Sequence, residues 1–296
     1  MSIIDAILID KDVEMGREEN IEVFEDTERL NKSNDYLVES IRRSILEEEF
    51  FDGEKSLFFD FDCINKKKAK VIVSAKRTME AAALYAYEKK KVCVLNFASA
   101  TNPGGGVTRG SSAQEEAICR ISTLFPCLCD RRMMKSFYYP HRDTGNPLHN
   151  DDAIYTPNVV VFKSDTQYPK LLSKDKWYNV NVITSAAPNL RDKPSNAMNM
   201  NDGDIRAEIS RNDLLSLLKK RIHRIFEIAA IKGNEVIILG AFGCGAFSNP
   251  PDVVAEAMKR EIEKFRNYYE TIEMAVYCPR YDDTNYQVFK KFLGDL

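Results

Sequence analysis

Short β-branched runs alternate with longer helical patterns over most of the chain, and this alternation restricts the fold more than any other feature. Residues 70–77 (KVIVSAKR) and 92–99 (VCVLNFAS) have the composition of strands, and the alanine-rich stretch between them has that of a helix. Further strand-like runs occur in NVVVFKSD, YNVNVITSAAPN, EVIILG and EMAVYCP, with helical patterns among them. We therefore predict a three-layer α/β/α domain whose ligand binds beyond the carboxyl ends of the strands.

The N-terminal region has a different sequence pattern: it is charged and has helical spacing, with no strand-like run between its helices. In NDYLVESIRRSILEEEF, apolar residues recur at helical spacing, and Asn34 or Asp35 could cap the helix. We predict that residues 1–55 form an accessory helical segment packed on the core. Residues 56–296 then form the main domain.

Composition excludes several classes of function. A formal charge of −3 and a pI near 5.8 argue against a nucleic-acid-binding protein, which usually needs a strongly basic face. The N-terminus has no basic start or long apolar run, and no segment approaches a membrane span, so we expect neither a secretion signal nor a membrane protein. Seven scattered cysteines are typical of reduced thiols in a cytoplasmic protein, or a nuclear one if the source is eukaryotic. Their spacing, and that of the histidines, predicts no metal site.

Two glycine-rich loops each follow a strong strand pattern. NPGGGVTRG comes after VCVLNF, and GAFGCGAFSN completes the run that begins with EVIIL. Glycine lets a ligand approach the backbone, and a loop of free N–H groups at a helix start suits a phosphate. Neither loop is a Walker A motif or a dinucleotide fingerprint. Tight turns alone could explain one such loop, but two at strand ends favour a ligand that contains a diphosphate.

Two adjacent carboxylates begin the helix after the first loop. Ser112 and Glu115 fit a capping box, so Glu115 could simply cap the helix. Glu116 borders the apolar face, where a carboxyl group would be partly desolvated and suited to acid–base work. Adjacent helical residues point about 100° apart, so the pair cannot flank a bond as two glycosidase carboxylates do. One glutamate would therefore act first as acid and then as base.

The segment GGGVTRGSSAQEE resembles the Gly-Gly-Gly and Gln-Glu-Glu signature of the bacterial-type poly(ADP-ribose) glycohydrolases, which belong to the macrodomain superfamily. The similarity continues through VITSAAPN and GAFGCGAFSNPP in the family's order and covers roughly residues 70–251. Phe242 departs from the tryptophan that is common there. The resemblance implies a macrodomain-like mixed sheet and a catalytic role for residues 56–296, and the helical residues 1–55, which are only weakly similar to the family, form an N-terminal extension.

The resemblance also implies roles for individual residues. Glu116 would be the general acid and base that cleaves the ribose–ribose bond, and Glu115 would hold the ribose hydroxyls. No metal or redox cofactor is implied. The expected ligand-binding residues are Asn102, Gly104, Gly105, Gly106, Gln114, Asn189, Gly243, Cys244, Gly245, Ala246 and Phe247.

Three functions remain open from the sequence. The first is a poly(ADP-ribose) glycohydrolase that works from chain ends and releases ADP-ribose, for which a near-neutral surface is adequate. The second is a hydrolase of single ADP-ribose units on serine or arginine side chains, which would share the ligand half of the site. The third is a non-catalytic ADP-ribose reader, against which the intact Gln114-Glu115-Glu116 triplet argues. We expect a monomer whose partner is the polymer or an ADP-ribosylated protein.

Overall fold

The computed structural model describes residues 16–57, 67–279 and 282–296. Residues 1–15, on which the prediction about a secretion signal depends, lie outside this set, and so does Cys63. None of the helices in the described ranges is long and apolar enough to cross a membrane.

The longer helices lie where the sequence pattern predicts them, whereas the short helices between residues 124 and 144 were not predicted. Asn34 caps the second helix by accepting the Leu37 N–H at 3.3 Å, as expected. Gly233, with φ at +67°, follows the longest helix, and Pro251 begins the next. In chain order the helices are α1 (Arg17–Ser33), α2 (Asp35–Glu47), α3 (Thr78–Tyr87), α4 (Gln114–Ile121), α5 (Leu124–Leu128), α6 (Arg131–Met133), α7 (Tyr139–Thr144), α8 (Arg211–Ile231), α9 (Pro251–Phe265) and α10 (Thr284–Leu293).

One sheet of seven strands runs through the described residues. The strands are β1 (Glu49–Phe51), β2 (Lys70–Ser74), β3 (Val92–Phe97), β4 (Ala153–Val161), β5 (Tyr178–Ser185), β6 (Val236–Leu239) and β7 (Thr271–Ala275). Their order is β1-β4-β5-β3-β6-β7-β2. The run from β5 to β2 is parallel, whereas β4 is antiparallel to both of its neighbours. The predicted mixed sheet is confirmed.

Alternate residues of the central strands pack into different layers. In β3, Cys93 and Leu95 join a core formed with α8 and α9, while Val92 and Val94 join one formed with α3 and α4. Side chains of a strand point to opposite faces in turn, which is why a nearly continuous apolar run is needed here. Each fully buried side chain of this kind stabilises the fold by about 1.5–3 kcal/mol.

The N-terminal helices lie against the front of this domain. Phe24 of α1 makes an edge-on contact with Phe125, with ring centroids 5.0 Å apart, and the Asn20 amide donates to the Gly110 carbonyl at 3.2 Å. Leu37 of α2 packs with Val160 of β4. The start of α1 is thereby brought to the loops after β3. A boundary at residue 55 stays a prediction.

Candidate active site

A cavity of about 770 Å³ opens at the carboxyl ends of the parallel strands. Its walls come from segments that follow each of the strands β2 to β7, together with the start of α4 and part of α1. This location agrees with the rule that ligands of open α/β sheets bind beyond the strand ends. Eight of the predicted site residues line it: Gly105, Gln114, Glu115, Glu116, Gly243, Gly245, Ala246 and Phe247.

Glu115 is buried at the start of α4, and both oxygens of its carboxyl group accept hydrogen bonds from the protein. One oxygen accepts the Ser99 backbone N–H at 2.8 Å, and the other accepts the Asn96 amide at 3.2 Å. Burial, and then the neighbouring carboxylate of Glu116, hold the pKa of Glu115 well above its usual range, although these two donors and the Gly104 N–H oppose the shift. Glu115 therefore retains its proton more readily than an ordinary glutamate.

The predicted capping box is wrong. The N-cap residue of α4 is Ala113, which provides no side-chain hydrogen bond, and Ser112 lies outside the helix. The reason is that the Glu115 carboxyl group reaches the loop after β3 instead of the helix terminus.

Glu116 is also buried, with 6% of its surface exposed, yet only half of its carboxyl group is engaged. Its Oε1 accepts the Gly106 N–H at 2.8 Å. Its Oε2 has no hydrogen-bond partner among the described residues. A buried polar atom without a partner is costly. Here it belongs to a side chain that lines the cavity, so a substrate group could supply the partner.

Gln114 lines the cavity, but its amide is occupied by the protein. Its Nε2 donates to the Leu95 carbonyl at 2.7 Å and to the Thr78 hydroxyl at 3.1 Å, while its Oε1 accepts the Phe97 N–H at 2.9 Å. The side chain thus fixes the start of α4 against the end of β3. A contact between Gln114 and a ligand stays a prediction.

The first glycine loop is packed against the protein itself. Gly104 and Gly105 have φ values of +69° and +58°, which side-chain-bearing residues rarely adopt. A Cβ on Gly105 would lie 2.5 Å from Oε1 of Glu116 and 3.1 Å from Oε2 of Glu115. Gly105 lines the cavity, whereas Gly104 and Gly106 do not. The loop is therefore glycine-rich in part because two carboxyl groups need the space.

The second glycine loop is more open. Gly243, with φ at +75°, packs against Ala187 and Asn249, but nothing lies within 4 Å of a Cβ built on Gly245. Phe247 completes the loop, and the Asn249 amide ties it to the Pro188 carbonyl at 2.7 Å. Bare backbone at Gly245 thus borders open space in the cavity.

Three further predicted residues do not line the cavity. Cys244 is partly buried against the core, and burial raises the pKa of its thiol; its contact with a ligand stays a prediction. Asn102 donates to the Met200 carbonyl at 2.9 Å, and the fully buried Asn189 donates to Asp202 at 2.6 Å. These two asparagines bind protein groups, and their contacts with a ligand stay predictions.

Residues that the sequence pattern did not single out also line the cavity. Ser99 binds Glu115 through its backbone N–H and Asn199 through its hydroxyl, while Arg77 and Tyr277 lie after β2 and β7. The Arg77 guanidinium is 4.1 Å from the centroid of the half-exposed Tyr277 ring. Tyr277 does end a predicted strand, and that position could have drawn attention to it. Asn199 lies 100 residues along the chain from its partner Ser99, and no local sequence pattern indicates their contact.

Within residues 16–57, 67–279 and 282–296, no group of three or more histidine, cysteine, aspartate or glutamate side chains is arranged to hold a metal ion.

Comparison with known proteins bears on the whole of this arrangement. The model of the family described as "Microbial-type PARG, catalytic domain" matches residues 18–164 of the 296. No curated protein matches the chain.

Solved bacterial structures match over nearly the full length. Poly(ADP-ribose) glycohydrolase from Thermomonospora curvata is 27% identical over 93% of this chain and 98% of its own, with a TM-score of 0.74. The same enzyme bound to the inhibitor ADP-HPD is 28% identical with the same coverage and a TM-score of 0.72. The Deinococcus radiodurans enzyme in complex with ADP-ribose is 27% identical over 86% of this chain and 98% of its own, with a TM-score of 0.73.

The predicted resemblance and the macrodomain-like fold are therefore confirmed. Residues 18–164 match the model of the microbial-type catalytic domain, and the solved bacterial poly(ADP-ribose) glycohydrolases resemble the chain in fold over most of its length.

Proposed function

We propose that this protein is a poly(ADP-ribose) glycohydrolase that hydrolyses ribose–ribose O-glycosidic bonds. The observation that carries the proposal is the state of the Glu116 carboxyl group. One of its oxygens is held by the Gly106 N–H at 2.8 Å, and the other is buried without a partner among the described residues. The similarity to enzymes solved with ADP-ribose and with ADP-HPD supports the same reaction.

Glu116 is proposed to act on both sides of the bond cleavage. Its carboxyl group gives a proton to the ribose oxygen that leaves, and the ribose that remains acquires oxocarbenium character. The resulting carboxylate then takes a proton from the water that attacks the anomeric carbon. Atoms and charge balance, because Glu116 ends the cycle in its starting form.

Glu115 is proposed to orient the ribose beside Glu116. The carboxyl groups of both residues lie close to Gly105. Burial and the adjacent carboxylate raise the pKa of Glu115, so the carboxyl group next to Glu116 holds its proton more readily than an ordinary glutamate does.

The rest of the cavity fits an extended ligand. We propose that the open backbone at Gly245 receives the diphosphate and that Phe247 packs on a ribose. Tyr277, with Arg77 over one face of its ring, is the proposed surface on which adenine stacks. Such stacking is typically worth about 1–3 kcal/mol.

We propose that the enzyme attacks the ends of the polymer, because its own net charge is slightly negative. The protein carries a net charge of −3, and tracking along an internal stretch of a polyanion favours a basic groove. Terminal attack would release free ADP-ribose one unit at a time. A monomer is sufficient, because the residues assigned above all come from one chain.

The test is to incubate the protein with poly(ADP-ribose) and, separately, with peptides that carry one ADP-ribose on serine or arginine. We expect free ADP-ribose from the polymer from the first time points and none from the peptides. Early release of oligomers would contradict attack from chain ends. Release from a peptide alone would overturn the proposal in favour of a mono-ADP-ribosyl hydrolase, and binding without any release would favour a reader.

A matched control for the substitution of Glu116 by glutamine uses another buried glutamate. Glu48 is 3% exposed and does not line the cavity. Glu48→Gln should retain wild-type turnover. A loss of turnover in this variant would mean that removing any buried carboxylate disables the protein.

A further inference from the structure

A closed loop covers one side of the proposed site. We call residues 195–203 the cover loop. Its two ends are joined, because the Ser195 N–H donates to the Gly203 carbonyl at 3.0 Å and the Asp202 N–H donates to the Ser195 hydroxyl at 2.9 Å. Met198 and Asn199 of this loop line the cavity. A loop whose ends are tied in this way behaves as one compact unit.

The cover loop binds to the segment that leads into the first glycine loop. The Ser99 hydroxyl donates to Oδ1 of Asn199 at 2.6 Å. The Thr101 hydroxyl and the Asn102 amide both donate to the Met200 carbonyl, at 2.7 and 2.9 Å. The two loops are therefore fixed to each other by three hydrogen bonds.

Met198 adds a packing contact to these bonds. A Cβ on Gly106 would lie 3.2 Å from both Cβ and Sδ of Met198, so the side chain rests on the backbone that binds Glu116. Apolar contact at this point limits the access of water to the carboxyl group.

Asp202 is the anchor of the cover loop. Its Oδ2 accepts the amides of Asn189 at 2.6 Å and Asn199 at 2.7 Å, and its Oδ1 pairs with Nε2 of His149 at 2.7 Å. Burial alone would raise the pKa of Asp202, but the bonds from His149 and the two asparagines hold it below its usual value. A buried carboxylate with this many donors is a strong and directional partner.

These contacts form a continuous chain to Glu115. Asp202 takes the amide nitrogen of Asn199, which leaves the amide oxygen of Asn199 for the Ser99 hydroxyl. The Ser99 N–H in turn donates to Glu115 at 2.8 Å. Asp202 thus decides which way the Asn199 amide faces, and that orientation steadies the residue that binds Glu115.

We propose that Asp202 is a positioning residue for the reaction, acting through Asn199 and Ser99 on Glu115. The inference rests on the proposed function, because the role of Glu115 in holding ribose is assigned there. Asp202 itself does not line the cavity. Its effect must therefore reach the substrate through the hydrogen-bonded chain.

The first experiment needs no ligand and no activity. We expect Asp202→Asn to increase the exchange rate of the Ser99 amide hydrogen by about 10-fold or more, because the bond to Glu115 opens more often. The amide of Ile238, in the buried strand β6, should exchange as in the wild type and so show that the fold is intact. Unchanged protection of Ser99 would overturn the inference.

A second variant guards against misfolding of the first. Asn199→Ala breaks the same chain one link further on and leaves the buried hydrogen bond between His149 and Asp202 in place. It should also raise the exchange rate of the Ser99 amide. The matched control is Asp204→Asn, the same chemical change at an exposed position two residues from Asp202, which should change neither amide.

The kinetic experiment separates positioning from a general structural role. In the wild-type background, Asp202→Asn should lower kcat/KM by about 10- to 100-fold, whereas in a Glu115→Gln background the same change should cost no more than about 3-fold. Equal factors in the two backgrounds would overturn the inference. Exchange is measured without substrate, so it decides the inference even where turnover, and with it the proposed function, fails.

Discussion

Gly105 and Gly245 each lie in a loop that follows a parallel strand, yet a Cβ atom added to them would meet different surroundings. At Gly105 it would lie 2.5 Å from the Glu116 carboxyl group, in backbone with φ at +58°. At Gly245 it would meet nothing within 4 Å. Bare backbone in the first loop makes room for the protein's own carboxylates, while in the second it faces the space proposed for a diphosphate. The same residue type therefore makes room for two carboxyl groups in one loop and leaves open space for the proposed ligand in the other.

Of the substitutions that test the comparison between the two loops, Gly105→Ala should have the largest effect. The new methyl group would displace both carboxyl groups and force a residue with a side chain into left-handed backbone. We expect kcat/KM to fall by about 10³-fold and the free energy of unfolding to fall by about 2 kcal/mol. Turnover of the polymer and denaturant unfolding measure the two effects, and near-wild-type values of both would remove the distinction between the loops.

Substitution of Tyr277 tests how far the ligand extends past the second loop. The start of that loop, at Gly240, packs against the Ala275 carbonyl of β7, and Tyr277 follows Ala275 by two residues. If adenine stacks on Tyr277, then Tyr277→Ala should weaken ADP-ribose binding by about 10- to 30-fold. Tyr277→Phe keeps the ring and should bind as the wild type does. Equal losses in both variants, measured by calorimetry, would argue against stacking.

A smaller effect is expected from Gly245→Ala. Its backbone does not have positive φ and its Cβ would point into open space, so the free energy of unfolding should stay within about 0.5 kcal/mol of wild type. Affinity for ADP-ribose should fall by about 10-fold, because the methyl group occupies part of the ligand's space.

Gly243→Ala is the matched control within the same loop. Its φ is +75°, and its Cβ would lie 2.5 Å from Ala187, so this variant should lose stability. Equal stability of the two alanine variants would contradict the description of an open second loop.

The smallest effect on activity concerns Glu48, a buried carboxyl group outside the cavity. Burial raises its pKa to about 8, although the bond from the Thr156 hydroxyl opposes the shift. The folded state therefore keeps a proton between pH 4.5 and 8 that the unfolded state releases, so Glu48 makes stability fall as pH rises through that window.

Glu48→Gln should remove this dependence and leave turnover unchanged. Relative to wild type, it should gain on the order of 3 kcal/mol of unfolding free energy between pH 5 and pH 8. Denaturant unfolding at the two pH values measures the gain. A constant difference would show that Glu48 is not the titrating group, and a loss of turnover would show that burial alone makes a carboxylate essential here.

Much of the fold follows from local pattern. The apolar runs of β3 and β6 need no long-range information, since two buried faces demand apolar residues at consecutive positions. The placement of Glu116 beside a glycine loop was likewise readable, because α4 begins only a few residues after that loop.

The remainder depends on contacts between distant segments. The Glu115 carboxyl group binds Ser99 rather than the helix terminus, and Ser112 had offered an equally good local interpretation. Asn102 and Asn189 have side-chain amides that could contact a ligand. In the structure these amides donate hydrogen bonds to the Met200 carbonyl and to Asp202. The cover loop is polar and without periodicity, and a sequence pattern carries no sign of where such a loop will rest.

Glu116 is proposed to perform the chemistry, while Glu115 and the glycine loops hold the substrate. Glu116→Gln preserves shape and removes only the transferable proton and the charge. We expect kcat with poly(ADP-ribose) to fall by about 10³-fold or more, while the Kd for ADP-ribose changes by less than about 3-fold. Turnover within 10-fold of wild type, or a loss of ADP-ribose binding that matches the loss of rate, would contradict it.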